Sequence, residues 1–133
     1  VIAVDTNLIC YLLLRSDHTE LAEHVYLRDS AWAAPILWRS EFRNVLAGYL
    51  RRDLLTLATA RGLSLKALRL MSGREHLPQS DDVLRFVSSS NCSAYDCEFV
   101  AVARELGALL VTADRRILAD FPQLAVSPEA FVR

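Results

Sequence analysis

Two short apolar runs, each leading to an aspartate, do most to restrict what this chain can fold into. Val1-Ile2-Ala3-Val4 ends at Asp5, and Leu109-Leu110-Val111-Thr112 is followed after one residue by Asp114. An unbroken apolar run rich in β-branched residues has no polar face. As a strand it must be buried on both sides, which is the habit of parallel sheets. Between the two runs the chain alternates further strand and helix signals. Thr6–Leu14 and Asp17–Arg28 read as helices, and Ala31–Ala34, closed by Pro35, as a strand. Leu37–Arg52 is a helix with Trp38, Phe42, Val45, Leu46 and Tyr49 on one face. Leu54–Met71 holds one or two helices with a break near Gly62, and His76-Leu77-Pro78 is a brief edge strand, where proline is tolerated. Asp81–Ser88 and Ser93–Leu106 are helices, the second closed by Gly107, and Leu124–Val126 is a last short strand. Strands alternating with helices predict a layered α/β sheet with right-handed crossovers.

No repeat or linker interrupts the 133 residues, so one domain spans 1–133. Hydrophobic residues make up 53%, charged residues 23%, and there are only 4 Gly and 4 Pro, a composition that builds a core and excludes disorder. No run approaches the roughly 18 apolar residues of a membrane span, and no basic stretch opens the sequence as a secretory signal would. The three cysteines, Cys10, Cys92 and Cys97, have no metal-ligand spacing and read as small, reduced core or boundary residues. The expected location is the cytoplasm.

Four acids stand at the edges of buried structure. Asp5 and Asp114 each follow a strand, and in open parallel sheets the ligand crevice lies beyond the carboxyl ends of the strands. An aspartate between strand and helix is also a good N-cap, so either alone is ambiguous. Asp96 falls, at about 100° per residue, within the arc of Tyr95, Phe99, Val100, Ala103 and Leu106, the stripe that faces the core. A carboxylate there must be capped, paired or bound to a cation. Ser93-x-x-Asp96 also resembles a capping box, in which the acid bonds back to the cap. Glu41 borders the apolar face of its helix, flanked by Arg39 and Arg43. Carboxylates brought together repel one another unless a cation sits among them. Mg²⁺ and Mn²⁺ take such oxygen ligands, together with water and substrate phosphate.

The net charge of −1 hides an imbalance. Fifteen basic residues set against the twelve acids outside this group leave +3, and fourteen of the fifteen are arginine, with Lys66 the single lysine. The planar arginine fork suits phosphate. Arg61–Arg74 carries Arg61, Lys66, Arg69 and Arg74 without one acid before Glu75, although a run like this is more often a solvated helix face.

Val4-Asp5-Thr6-Asn7, Glu41, Ser93-Ala94-Tyr95-Asp96 and Val111-Thr112-Ala113-Asp114, taken in order, resemble a PIN-domain ribonuclease. Length and order are similar to the VapC-type toxins of type II toxin–antitoxin pairs, and the resemblance covers nearly the whole chain. It implies a PIN-like α/β fold, a central parallel β-sheet sandwiched between α-helices with an acidic pocket at the strand ends. It also implies RNA cleavage dependent on Mg²⁺ or Mn²⁺. The family's acidic quartet falls on Asp5, Glu41, Asp96 and Asp114 as catalytic and metal-holding residues. Thr6, Asn7 and Thr112 are expected to orient the carboxylates, and Arg39, Arg43 and Arg115 to contact RNA phosphates. The implied partners are RNA, a second copy in a homodimer, and a cognate antitoxin for which the apolar Leu8–Leu14 and Trp38–Leu50 faces offer grooves. Residues 54–80 match no motif.

Two enzyme rivals lack their residues. A receiver domain wants an acidic pair after the first strand and a lysine near the last, whereas Thr6-Asn7 follows Asp5 and the only lysine is Lys66. A haloacid-dehalogenase-type phosphatase wants Asp-x-Asp, and Asn7 occupies the second position. The stronger rival is a catalytically inactive PIN-like module that binds protein or RNA. The three histidines, His18, His24 and His76, lie outside every motif.

Overall fold

The computed structural model describes residues 1–133. Five strands form one parallel sheet: β1 (Ile2–Val4), β2 (Trp32–Pro35), β3 (Glu75–His76), β4 (Leu110–Val111) and β5 (Ala125–Val126). Their order across the sheet is β3-β2-β1-β4-β5. The chain therefore builds outward from β1 on one side, then returns to its other side for β4. In β1, Ile2 and Ala3 pair with Trp32 and Ala33, while Ala3 and Val4 pair with Leu110 and Val111. Successive side chains of a strand point to opposite faces. Ile2, Ala3 and Val4 are all buried, so both faces of the central strand are covered, as the apolar run requires.

The helices are α1 (Thr6–Leu13), α2 (Thr19–Arg28), α3 (Trp38–Arg51), α4 (Leu57–Met71), α5 (Ser80–Ser88), α6 (Ala94–Leu106), α7 (Arg115–Asp120) and α8 (Pro128–Phe131). Helix α6 lies against β1, β2 and β4 with α5 packed on it, while α1 to α4 pack among themselves and α4 reaches β2. One apolar cluster, including Leu8, Ile9, Trp32, Trp38, Phe42, Met71, Phe99 and Val100, joins the two helical groups through the sheet. No helix is long and apolar enough to cross a membrane. All three cysteines are free and buried.

Most expected elements are present, and the differences have local causes. Helix α4 runs unbroken through Gly62, whose Cα faces open space; a glycine there costs about 1 kcal/mol, too little to end a helix held by packing. Strand β3 is Glu75–His76 and not 76–78, because its extent is set by pairing with Ala34 and Pro35. Pro35 belongs to β2 and does not close it. Helices α7 and α8 were not expected as separate elements; Asp114 and Ser127 cap them. Tyr95, expected on the core stripe of α6, is 64% exposed, whereas Phe99, Val100 and Ala103 are buried. The apolar face of α3 is largely core, with Trp38, Phe42 and Leu46 buried.

Candidate active site

Because β1 and β4 are neighbours, the loops that leave them deliver Asp5 and Asp114 to the same end of the sheet. This is where the strand order reverses, the usual place for a ligand crevice in such sheets. Asp5 ends β1 and caps α1, its Oδ1 accepting a hydrogen bond from the Leu8 backbone N–H at 2.9 Å. Asp114 caps α7 in the same way, through Ile117 N–H at 2.9 Å. Capping and convergence are therefore not alternatives: both capping residues also line the crevice. Helices α3 and α6 bring Glu41 and Asp96 to the same place. A cleft of about 460 Å³ is lined by Asp5, Glu41, Asp96 and Asp114, together with Thr6, Asn7, Ser40, Asn44 and Tyr95 over an apolar floor that includes Leu37 and Phe99. No Lys, Arg or His lines it.

Two threonines hold the acids in place. The buried Thr112 hydroxyl donates to Asp5 Oδ2 at 2.6 Å and accepts from the Asp114 backbone N–H at 3.0 Å, tying both strand-end acids to one atom. The Thr6 hydroxyl donates to Glu41 Oε1 at 2.7 Å. Asn7 is exposed at the cleft and bonds to none of the four carboxylates. The capping box at α6 is half formed: Ser93 Oγ accepts from Asp96 N–H at 3.1 Å, but the Asp96 carboxylate does not bond back. It is left free to face the cleft.

Electrostatics register the crowding. Burial pushes the Asp5 carboxyl up to about 6, against the hydrogen bonds from Thr112 and the backbone that favour its charged form, with Asp114 adding repulsion. The Cys10 thiol on α1 is pushed up to about 12, first by burial and then by the charges of Asp5 and Glu41. Glu98 is also raised, by burial and then by Glu41. No three acids are gathered closely enough to hold a metal ion by themselves. Mg²⁺ does not need such a cage, since it keeps several waters and binds through one or two carboxylates plus substrate phosphate. Four carboxylates as the only charged groups of the lining, one of them desolvated and one unbonded, fit a hard divalent cation.

The three arginines lie outside the cleft. Arg39 is held by Glu75, with Nε to Oε2 and Nη2 to Oε1 each at 2.6 Å, and Trp38 Nε1 bonds the same carboxylate at 2.8 Å. The pair occupies Nε and Nη2 of the Arg39 guanidinium and leaves Nη1 unpaired on a side chain that is 41% exposed. Arg43 donates to the Arg39 carbonyl, and Arg115 is exposed at the start of α7. Arg74 is structural too, bonding the Trp32 and Leu70 carbonyls at 2.9 and 2.8 Å. Sequence reasoning missed Ser40, Asn44 and Tyr95 as lining residues. Ser40 and Asn44 neighbour Glu41 on α3 by helical spacing, a signal that was available.

The chain is thus an α/β domain with a cleft at the switch point of a parallel sheet, and the only charged residues that line the cleft are acids. The PIN domain profile matches residues 2–124, and the chain belongs to the PIN domain family, whose members are generally nucleases that hydrolyse phosphodiester bonds. Among solved structures it is similar to PAE2754 from Pyrobaculum aerophilum, with 23% identity, a TM-score of 0.76, and coverage of 98% of this chain and 92% of that one. FitAcB from Neisseria gonorrhoeae is 19% identical with a TM-score of 0.73, covering 97% and 99% respectively. These likenesses show the fold. No curated protein sequence matches the chain.

Proposed function

We propose that the protein is an endoribonuclease dependent on Mg²⁺ or Mn²⁺, acting as the toxin of a type II toxin–antitoxin pair. The observation that carries the proposal is the meeting of four carboxylates, with no basic residue, in one cleft between the ends of β1 and β4. Asp5, Glu41 and Asp96 would bind the ion, one or two of them directly and the rest through its waters, with Asp114 completing the site or positioning water. When bound, the ion supplies acidification of water and neutralises charge on a transferring phosphoryl group. Thr6 and Thr112 keep Glu41 and Asp5 aimed at the cleft. Asn7 borders it, within reach of substrate but not of the carboxylates' hydrogen bonds. Arg39, Arg43 and Arg115 are assigned to phosphates beyond the cleft, since they do not line it.

For the antitoxin, the side of α1 turned from the core supports the reading. Leu12 and Leu13 line a groove of about 700 Å³ with Tyr26, Leu27 and Leu70, rimmed by Arg15, Lys66 and Arg69. For a homodimer, the exposed Leu77 and Leu84 beside Pro78 and Val83 supply apolar surface for a second copy to cover. Buried free thiols fit a reducing cytoplasm.

The test is RNA cleavage with Mn²⁺ and with EDTA, using wild type, Asp5→Asn and Asp96→Asn. Cleavage abolished by chelation and lowered on the order of 10²–10³-fold by either substitution is expected. Cleavage that survives EDTA, or is unchanged in both variants, removes the metal-dependent reading. No cleavage of any RNA favours the inactive binding module.

A further inference from the structure

Tyr95 stands apart among the aromatic side chains. Tyr11 stacks on His18, Tyr26 and Trp32 meet edge to face, as do Trp38 with Phe42 and Phe86 with Phe121, and Tyr49 and Phe131 lie under arginines. Phe99 is buried in the core. Tyr95 alone is a largely exposed ring, 64% accessible, with no ring, cation or hydrogen-bond partner. A single exposed apolar residue means little by itself. This one is in the first turn of α6, adjacent in sequence to Asp96, and lines the acidic cleft.

The cleft's own charge makes the location informative. Four acids and no base line it, so the protein surface there repels a polyanion and offers a phosphate only the neutral donors of Thr6, Asn7, Ser40 and Asn44. A contact indifferent to that charge would add affinity beside the cleft. An aromatic face supplies one, because every nucleobase has a π-face and stacks on it regardless of sequence. We infer that Tyr95 is the platform on which one nucleobase of a single-stranded substrate stacks while the adjacent phosphate enters the acidic cleft. This rests on the nuclease reading and adds to it a base-contacting residue; a base must be unstacked from its neighbours to reach the ring, so the contact is not made by duplex.

The test uses the whole protein with Tyr95→Ala, Tyr95→Phe and Tyr95→Trp. Cleavage of a short single-stranded RNA in Mn²⁺ is expected to show KM raised about tenfold in Tyr95→Ala with kcat little changed, and near wild-type values in the two aromatic variants. Binding is read separately by fluorescence quenching of the same RNA carrying 2-aminopurine, in Ca²⁺, with the strand checked intact afterwards. Quenching is expected to depend on an aromatic residue at 95 and to be absent for the duplex. Thermal midpoints of all variants should agree, since the ring is exposed and unpaired. Equal KM and quenching in Tyr95→Ala and wild type would overturn the inference. So would a Tyr95→Phe variant as impaired as Tyr95→Ala, which would assign the role to the hydroxyl, or an effect of Tyr95→Ala confined to particle mass, which would assign the ring to a protein contact. If wild type cleaves nothing yet quenches in a Tyr95-dependent manner, stacking stands and the nuclease reading falls.

Discussion

The Thr112 hydroxyl has the widest reach of any single group in this protein. It donates to Asp5 and accepts from the Asp114 backbone, so Thr112→Val removes the strongest hydrogen bond favouring charged Asp5 and leaves buried groups unpaired. A loss of about 1–3 kcal/mol is expected from urea denaturation, and the Asp5 carboxyl should titrate above about 6 by NMR. Asp5 itself is held at a cost. Its folded pKa of about 6 lies above its ordinary 3.8, so the folded chain holds a proton that the unfolded chain releases. Metal-free stability from this group is therefore greatest below pH 4 and is lost as pH rises through 6, by about 3 kcal/mol at most. Asp5→Asn should accordingly raise the thermal midpoint in EDTA at pH 7 while lowering cleavage in Mn²⁺; an unchanged or lowered midpoint would contradict this. Glu75 has the opposite sign. The bidentate Arg39 guanidinium, assisted by Trp38, holds its carboxyl below the usual 4.5 despite partial burial. Its contribution is full above pH 4.5 and disappears as pH falls through the folded value. The stability difference between wild type and Glu75→Gln should shrink on going from pH 7 to pH 3.

Among the elements, α4 and α6 make the sharpest contrast between what local pattern reveals and what it conceals. Gly62 looked like a break in a helical stretch, yet α4 passes through it with nothing within 4 Å of where a Cβ would stand. Gly62→Ala should therefore stabilise the protein by about 0.5–1 kcal/mol in a denaturation midpoint, through helix propensity and a restricted unfolded chain. In α6 the Ser93 cap and the Gly107 terminus, with φ of 61°, were both legible, because capping chemistry is local. Tyr95 was not, since its helical angle places it on the core stripe while its position in the first turn leaves it uncovered. The Arg39–Glu75 pair spans 36 residues, and no local signal announces such a contact. Strand β3 was displaced by one residue for a similar reason: two residues carry no periodicity, and their partners Ala34 and Pro35 define them.

At the level of the whole molecule, the strand order is what turns four scattered acids into one site. The apolar runs at 1–4 and 109–112 announced doubly buried strands, but only their adjacency in the sheet brings Asp5 to Asp114. That adjacency depends on a crossover through most of the chain, beyond the reach of pattern reading. The acids themselves were readable because a carboxylate beside an apolar run demands an explanation. The same topology leaves the cleft without a base, and the proposed divalent ion would balance its charge. Diffraction from crystals soaked in Mn²⁺ at a concentration that supports cleavage measures this most directly. An anomalous peak inside the cleft, bordered by Asp5, Glu41, Asp96 and Asp114, is the predicted result. A cleft with no peak, or a peak only elsewhere on the surface, would contradict it.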